Sequence, residues 1–291
     1  MDPLRRHAVN VLTIFDKENG QLKNIRDVYC KKHDIAGIHR QRLTAMTNDV
    51  IRWRGRLDHW MNGLLNKPNQ KMQPELKNVL RAGLYEVVMD EITPAYAAVN
   101  AYVEIAKRTL GNGPGKLTNA ILRKATELNN ISKPDNCELN TWYSFPVWLW
   151  EKWTKQFGSN KAIALVKYFN ERPKMDIRRN DSQLSHEELN SFCDEHDINI
   201  ELWNNSEIFY QVQRNMAELN ILIVAGKVSV QNRASGMVVE LLDPKPGEII
   251  LDVCSAPGTK AAYTAELMAG DGKLYVSDSR VDRLEKFKPN F

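Results

Sequence analysis

The chain has 291 residues, enough for two or three domains, and 43% of them are hydrophobic, enough to bury a core in each. Its 40 Lys and Arg nearly balance 36 Asp and Glu, so basic character is local: residues 20–60 carry nine Lys or Arg against four Asp or Glu. The four cysteines are scattered and form no CxxC pair, which predicts neither a zinc site nor a disulfide framework and fits a reducing cytoplasm. No apolar run approaches the roughly 20 residues that cross a bilayer, so the sequence predicts a cytoplasmic protein without a membrane span.

Residues 1–130 predict an all-α domain, because apolar residues recur at helical spacing along three segments. These segments are "ELKNVLRAGLYEVVM", "AVNAYVEIAKRTLG" and, after a predicted loop "GNGPGK", "LTNAILRKATEL". Gly111 is placed to end the second helix, since glycine accepts the backbone geometry of a helix C-terminus. No alternating strand pattern interrupts the three segments.

Five arginines in this region are candidates for phosphate contacts, since a guanidinium pairs with phosphate oxygens through two hydrogen bonds. The alternative is a solvated basic face, which is the commoner use of surface charge. The sequence does not select one arginine among the five, which are Arg5, Arg6, Arg52, Arg54 and Arg56.

A polar stretch that includes Pro134, "ISKPDNCELN", predicts a linker, and residues 135–226 then predict a small α/β domain. Helical spacing in "WYSFPVWLWEKWTKQFG" places Trp150, Trp153 and Phe157 on one face, which favours burial in a core over stacking on bases. "KMDIRRN" and "INIELW" predict strands, and Ser185 with Glu188 predicts a capping box at the start of the helix between them.

From residue 227 the sequence predicts a short strand, a helix over 236–242, a buried strand in "IILDV" and the turn "CSAPGTK" at the start of a helix. Small residues in such a turn let the backbone approach a ligand, and free N–H groups at the helix start receive an anion. A second strand in "GKLYVSDSR" ends at Asp278, where an acid accepts hydrogen bonds from ribose hydroxyls. No GxGxxG follows the first strand, which weakens a dinucleotide interpretation.

Several phrases in this order resemble one known family. "RAGLYEVVMDEITPAYAAVNAYVEIAKR" followed by "LTNAILRK" resembles the helical RNA-binding domain of NusB, and "FNERPKMDIRRN" resembles the connecting domain of certain RNA methyltransferases. "VSVQNRAS…DPKPGE…LDVCSAPGTK" resembles the Sun/Fmu (RsmB-like) RNA cytosine-5 methyltransferases. The resemblance implies a NusB-like bundle at 1–130, a connecting domain at 135–226, and the first strands of a Rossmann-like methyltransferase domain at 227–291.

The same resemblance implies that S-adenosylmethionine is the cofactor and small-subunit (16S) ribosomal RNA the partner. Thr259 stands where members usually have glycine, and Ser255 where they have alanine. Lys260 has the alternative role of a surface lysine, and Cys254 that of a small packing residue. The residues that match the family's cofactor motif are Cys254, Ser255, Ala256, Pro257, Gly258, Thr259, Lys260 and Asp278.

Carbon 5 of cytosine is weakly nucleophilic, and in this family a cysteine thiolate adds to carbon 6 while a second cysteine helps release the product. Both cysteines lie in the later half of the family's methyltransferase domain and have no counterpart in this sequence. We therefore expect no catalytic residue within the 291, and a chain that is either a truncated gene product or a fragment of a longer enzyme and is inactive by itself. The alternative is a non-catalytic RNA-binding protein of the NusB type.

Overall fold

The computed structural model describes residues 3–18, 20–67, 71–128 and 132–280, and the chain divides into two compact units, residues 1–171 and 172–291. The described part of the first unit is helical throughout and contains no strand. Its helices are α1 (Pro3–Lys17), α2 (Leu22–Lys32), α3 (Gly37–Arg52), α4 (Arg54–Leu64), α5 (Pro74–Val88), α6 (Ala95–Leu110), α7 (Asn112–Ala125), α8 (Leu139–Trp142), α9 (Val147–Phe157) and α10 (Ser159–Asn170).

Helix α5 lies at the centre of the first unit, where it packs against α1, α3, α4, α6 and α7. Every residue of α5 from Asn78 to Glu86 is buried. Its apolar residues Val79, Leu80 and Leu84 belong to the stripe that the sequence predicts, and they are fully inaccessible to solvent. A helix buried on all sides must also find partners for its charged residues, because an unpaired buried charge is very costly.

Arg81 on α5 is such a charge, with only 2% of its surface exposed. Its Nε and Nη2 each donate to a carboxylate oxygen of Asp58 at 2.7 Å, and its Nη1 donates to Asp16 at 3.1 Å and to the Asn78 side chain at 3.0 Å. Because Asp58 lies on α4 and Asp16 on α1, one guanidinium ties three helices together.

The three helices predicted in the first 130 residues are confirmed as α5, α6 and α7. Gly111 ends α6 with φ of 99°, a left-handed value that favours glycine. The predicted loop "GNGPGK" is wrong, since α7 already begins at Asn112. Pro114 fits there because the first turn of a helix has no hydrogen-bond partner for its N–H groups.

The aromatic face of α9 is less buried than the sequence predicts. Trp150 and Trp153 are half-buried and Phe157 is exposed, and α9 has no fully buried residue. Trp153 stacks on Phe169 of α10, with 5.6 Å between ring centroids, and contacts Phe145 at 5.5 Å. The helical spacing therefore produces a small aromatic cluster at the surface of this unit and not a closed core.

The second unit alternates strands and helices. They are β1 (Met175–Arg179), α11 (His186–Glu195), β2 (Asn199–Leu202), β3 (Phe209–Arg214), α12 (Asn220–Val224) after a 3₁₀ turn (Met216–Leu219), β4 (Val228–Val230), α13 (Arg233–Leu242), β5 (Ile249–Asp252), α14 (Thr259–Leu267) and β6 (Lys273–Val276).

Strands β1 to β4 form an antiparallel sheet in the order β2-β3-β1-β4. With α11 between β1 and β2 and α12 between β3 and β4, this is the split βαβ topology of ferredoxin-like domains. The strands predicted in "KMDIRRN" and "INIELW" are confirmed, whereas β3 was not predicted. Strand β4, which the sequence analysis places beyond residue 226, pairs with β1 and completes this sheet.

The predicted capping box at the start of α11 is confirmed. The Ser185 hydroxyl accepts a hydrogen bond from the Glu188 N–H at 3.1 Å, and the Glu188 carboxylate accepts one from the Ser185 N–H at 2.7 Å. The hydrogen bond from the Ser185 N–H to the carboxylate, followed by an interaction of that carboxylate with the Ser185 side chain, lowers the pKa of Glu188 below its ordinary value.

Strands β5 and β6 pair in parallel, with α14 as the connection between them. The prediction that the first of these strands is buried is wrong, because Ile249 is 72% and Leu251 64% exposed. Alternate apolar residues of a parallel strand are buried when helices cover both sheet faces. Among the described residues, no element covers the face of β5 on which Ile249 and Leu251 lie.

The ion pairs of α5 predict how the first unit responds to mutation. We expect Arg81→Ala to lower the free energy of unfolding by about 3 kcal/mol, because it leaves Asp16 and Asp58 without their shared cation. The control is Arg40→Ala, which removes an exposed pair with Asp27 and changes the same quantity by less than about 1 kcal/mol. Urea unfolding followed by circular dichroism measures both, and equal effects would contradict the central role of Arg81.

Candidate functional site

Hydrogen bonds within the backbone, and one that an acidic side chain accepts, hold the turn between β5 and α14. The Asp252 carboxylate, at the end of β5, accepts a hydrogen bond from the Cys254 N–H at 3.0 Å. The Gly258 N–H donates to the Ser255 carbonyl at 2.7 Å. Gly258 has φ of 108°, a backbone conformation that is strained for any residue with a side chain. Asp252 thus fixes the start of the turn, and Gly258 directs the chain into α14.

The end of β6 closes on this turn. The Ser255 N–H and hydroxyl both donate to the Ser277 carbonyl, at 3.1 and 3.0 Å, and the Ala256 N–H donates to Asp278 Oδ2 at 3.1 Å. The structure therefore brings Asp278 next to the small-residue turn, although 20 residues separate Asp278 from Gly258 in the sequence. A carboxylate oxygen has two lone pairs, so Asp278 retains acceptor capacity for a ligand hydroxyl.

Helix α14 presents its N-terminus at the same place. Its N-cap residue is Gly258, and no side chain caps it. The first N–H groups of a helix lack partners within the helix and carry a partial positive charge, which suits a carboxylate. Thr259 opens α14 and is not among the residues with positive φ, so threonine in place of glycine brings no left-handed strain here. Lys260 follows it and is half-buried.

The four thiols differ in access. Cys254 is exposed, so its interpretation as a packing residue is wrong, whereas Cys30, Cys137 and Cys193 are buried. Burial raises the pKa of Cys30 and Cys137, and that of Cys193 to about 11. The three buried thiols are therefore poor nucleophiles, since the thiolate is the reactive form.

Most of the five candidate arginines are bound within the protein. Arg5 donates to Glu86 at 2.6 and 2.8 Å, and Glu86 also accepts from the Tyr102 hydroxyl at 2.7 Å. Arg52 pairs with Asp49 on the preceding turn of α3, and Arg54 pairs with Asp16 at 2.8 Å. Arg5 and Arg54 therefore hold helices together, Arg52 is paired within its own helix, and Arg6 is exposed.

Arg56 is 4% exposed, and neither of the two predicted roles fits it. Its guanidinium lies 3.6 Å from the centre of the Trp142 ring and 4.3 Å from that of Trp53, and its Nε donates to the Trp142 carbonyl at 2.7 Å. Burial lowers its pKa to about 10. The role of Arg56 is to connect α4 with α8.

Exposed basic side chains are found instead on α2 and the start of α3, in the basic segment that the sequence indicates. Arg40 pairs there with Asp27 at 2.9 Å, which brings α3 against α2. The charge count of residues 20–60 located this segment, but only the helix packing shows which members face solvent. They are Lys23, Lys31, Lys32, Arg40 and Arg42.

In the described part of the chain, no group of three or more His, Cys, Asp or Glu side chains is arranged to hold a metal ion. Within the same residues, no helix combines the length and apolarity needed to cross a membrane.

The fold and this site define a class of protein: a helical unit, a ferredoxin-like sheet, and a βαβ unit with the turn and acid typical of nucleotide binding. Comparisons with known proteins agree with this class. The NusB family matches residues 2–127, the ferredoxin-like domain of RsmF/B-like methyltransferases matches residues 145–207, and the family described as 16S rRNA methyltransferase RsmB/F matches residues 239–291.

Individual relatives match over most of the chain. The probable ribosomal RNA small subunit methyltransferase B of Synechocystis is 30% identical over 97% of this chain and 65% of its own length, and that of Bacillus subtilis is 28% identical over 89% and 58%. A mouse tRNA (cytosine(72)-C(5))-methyltransferase, NSUN6, is 40% identical over 23% of this chain and 14% of its own length. The solved structure of PH0851 shares the fold, with a TM-score of 0.70 at 22% identity over 100% of this chain and 66% of that one.

The chain thus matches the RsmB/F family of RNA methyltransferases in two segments, and a segment that matches the NusB family precedes them. The resemblance that the sequence analysis found is thereby confirmed. The chain spans about three-fifths of the length of these two bacterial relatives.

Access to the thiols gives a direct test of the site's geometry. With iodoacetamide and the folded protein, we expect Cys254 to be alkylated at least about tenfold faster than Cys193, because Cys254 is exposed and Cys193 is buried. Peptide mass spectrometry measures both rates, and Cys254→Ser should abolish the fast reaction. Rapid labelling of Cys193 in the folded protein would contradict the structure.

Proposed function

We propose that the chain is part of an S-adenosylmethionine-dependent methyltransferase that modifies carbon 5 of a cytosine in small-subunit (16S) ribosomal RNA. The observation that carries the proposal is the approach of Asp278 to the turn at the N-terminus of α14, where Ala256 donates to its carboxylate at 3.1 Å. The ribosomal RNA substrate rests on the names of the bacterial relatives. The choice of carbon 5 rests on the sequence resemblance and on the name of the mouse relative.

In this proposal the turn binds the methionine part of the cofactor, and Asp278 binds its ribose. The N–H groups at the start of α14 receive the carboxylate, since they are directed out of the helix and no side chain caps them. Asp278 accepts hydrogen bonds from the ribose hydroxyls with its remaining lone pairs. Bound S-adenosylmethionine supplies a methyl group on a positively charged sulfur. Residues 254–260 thereby fix the cofactor's position at the end of β5.

We also propose the three domains that the sequence predicts, namely a helical RNA-binding domain at 1–130, a connecting domain and the first strands of a Rossmann-like domain. The boundary predicted at 226/227 moves past β4, which belongs to the sheet of the connecting domain, so the Rossmann-like strands begin with β5. The parallel pairing of β5 with β6 across α14 supports the third part, because this βαβ unit is the repeating element of doubly wound sheets. The cytoplasmic location stays a prediction from the sequence.

RNA binding in the proposal is assigned to the exposed basic side chains of α2 and α3. These face solvent, whereas Arg5, Arg52, Arg54 and Arg56 are bound to acids or aromatic rings of the helical unit. A lysine or arginine that contacts phosphate displaces a condensed counterion from the RNA, so each contact steepens the dependence of affinity on salt.

The salt dependence tests this assignment. We expect the triple variant Lys31→Gln, Lys32→Gln, Arg42→Gln to lower the log–log slope of affinity for 16S RNA against salt by about two units. The matched control neutralises three exposed lysines of α9 and α10, Lys152, Lys155 and Lys161, and leaves the slope within about half a unit of its original value. Filter binding between low and moderate salt measures it, and an unchanged slope in the first variant would overturn the assignment.

The cofactor assignment has a separate test. We expect the 291-residue chain to bind S-adenosylmethionine weakly, because the exposed side chains of β5 and β6 leave the adenine few apolar contacts. We expect no methyl transfer to 16S RNA, because three of its thiols are buried and Cys254 lies in the cofactor turn. Calorimetry and incubation with labelled cofactor measure these two quantities.

A version extended with the C-terminal part of a bacterial relative supplies the comparison. It should bind S-adenosylmethionine far more tightly, and Asp278→Asn in it should weaken binding by about tenfold, the loss of about one charged hydrogen bond. Asp271→Asn, at an exposed position before β6, is the control. Methyl incorporation by the 291-residue chain would refute the expected inactivity, and RNA binding without cofactor binding in the extended version would favour the non-catalytic alternative.

A further inference from the structure

Arg178 on β1 has no surface exposed to solvent, which is exceptional for an arginine. Its Nε donates to the Gln231 side-chain oxygen at 2.8 Å. Its Nη2 donates to Glu266 Oε1 at 2.8 Å, and its Nη1 donates to the other carboxylate oxygen. The guanidinium is therefore held in one orientation by the residue after β4 and is bound through two hydrogen bonds to α14.

The same guanidinium lies over an aromatic ring of α14. Its carbon is 4.3 Å from the centre of the Tyr263 ring, and Tyr263 is three residues before Glu266, so the two side chains lie on one face of the helix. Tyr263 also contacts Phe209 of β3 edge-to-face, at 6.0 Å between ring centroids. Arg178 therefore fixes both the rotation and the height of α14 against the four-stranded sheet.

The candidate cofactor turn is at the other end of this helix. Helix α14 runs from Thr259 to Leu267, a length of about 13 Å, and Gly258 is its N-cap. Because a helix of this length moves as a rigid body, a shift at Glu266 or Tyr263 displaces the N–H groups that face the turn. The hydrogen bond between Ala256 and Asp278 depends on the same placement.

A buried ion pair is a poor source of stability, since a hydrophobic pair of similar volume often stabilises a protein as much or more. What such a pair supplies is a unique geometry, because only one arrangement satisfies all of its hydrogen bonds. We infer that Arg178 is a positioning residue, which holds α14 so that the turn at 254–258 and Asp278 present their cofactor-binding groups in register. The cofactor part of this inference rests on the proposed function.

The second unit offers a matched control. Arg233 also pairs with a glutamate, Glu240, through two hydrogen bonds of 2.9 Å, and its guanidinium lies 4.9 Å from the Phe209 ring centre. Arg233 and Glu240 both lie on α13, however, so this pair does not connect the sheet to α14. The two arginines thus make the same kinds of contact, and they differ in the helix that they hold and in burial, since the Arg233 side chain is 12% exposed and that of Arg178 is 0% exposed.

The experiment compares Arg178→Met with Arg233→Met in the 291-residue chain by hydrogen–deuterium exchange. We expect amides of residues 254–262 to exchange about tenfold faster in Arg178→Met, relative to amides of the four-stranded sheet in the same variant, and to be unchanged in Arg233→Met. Should Arg178→Met fail to fold, Glu266→Gln, which keeps shape and acceptor oxygen, takes its place. Arg178→Lys should restore little of the protection, since an ammonium cannot make the two parallel hydrogen bonds.

The outcomes separate the inference from the proposed function. Equal exchange in the two arginine variants, or full protection in Arg178→Lys, would overturn the positioning role whatever the cofactor is. In the extended version, calorimetry with S-adenosylhomocysteine should show about tenfold weaker binding for Arg178→Met and unchanged binding for Arg233→Met. If the unaltered extended version does not bind this ligand, the proposed function fails, and the exchange experiment alone still decides the role of Arg178.

Discussion

Each of the two units is organised around a buried arginine. Removing a guanidinium from water is so costly that its carboxylate partners must come with it, and the elements that carry them are drawn together. In the first unit Arg81 on α5 brings Asp16 of α1 and Asp58 of α4 to one point. In the second, Arg178 on β1 brings Glu266 of α14. These charges fix which elements are neighbours, while the apolar stripes around them supply most of the burial.

Strand β1 shows how one short segment serves two faces. Alternate residues of a strand point to opposite sides, so Ile177 and Arg179 lie toward the core beneath α11, whereas Asp176 and Arg178 lie toward α13 and α14. Asp176 accepts hydrogen bonds from the Arg233 N–H at 3.0 Å, at the start of α13. The ferredoxin-like sheet is thus the support on which α13 and α14 are placed, and the candidate cofactor turn depends on it.

The basic residues of the helical unit divide into two groups by the same argument. Arginines near acids or aromatic rings are internal ties, as Arg5 and Arg56 show, and they are not free to meet phosphate. Lysines at the end of α2, which have no such partner among the contacts of the described chain, keep their charge in solvent. Arginine suits the first role because its planar guanidinium binds carboxylates through two hydrogen bonds, and lysine suits the second.

The sequence by itself determined the elements whose signal is local: the stripes of α5, α6 and α7, the Gly111 stop, the Ser185 capping box, and the strand–turn–helix that ends in "APGTK". Each of these elements depends on residues that are close together in the sequence, so their spacing alone reveals it. Only the tertiary structure decided that β4 completes the β1 sheet, that β5 is exposed, and that Arg56 and Arg178 are buried. The burial of the two arginines depends on partners more than 50 residues away in the sequence, which are Trp142 for Arg56, and Gln231 and Glu266 for Arg178. No local sequence pattern shows which distant side chain will neutralise or cover a given residue.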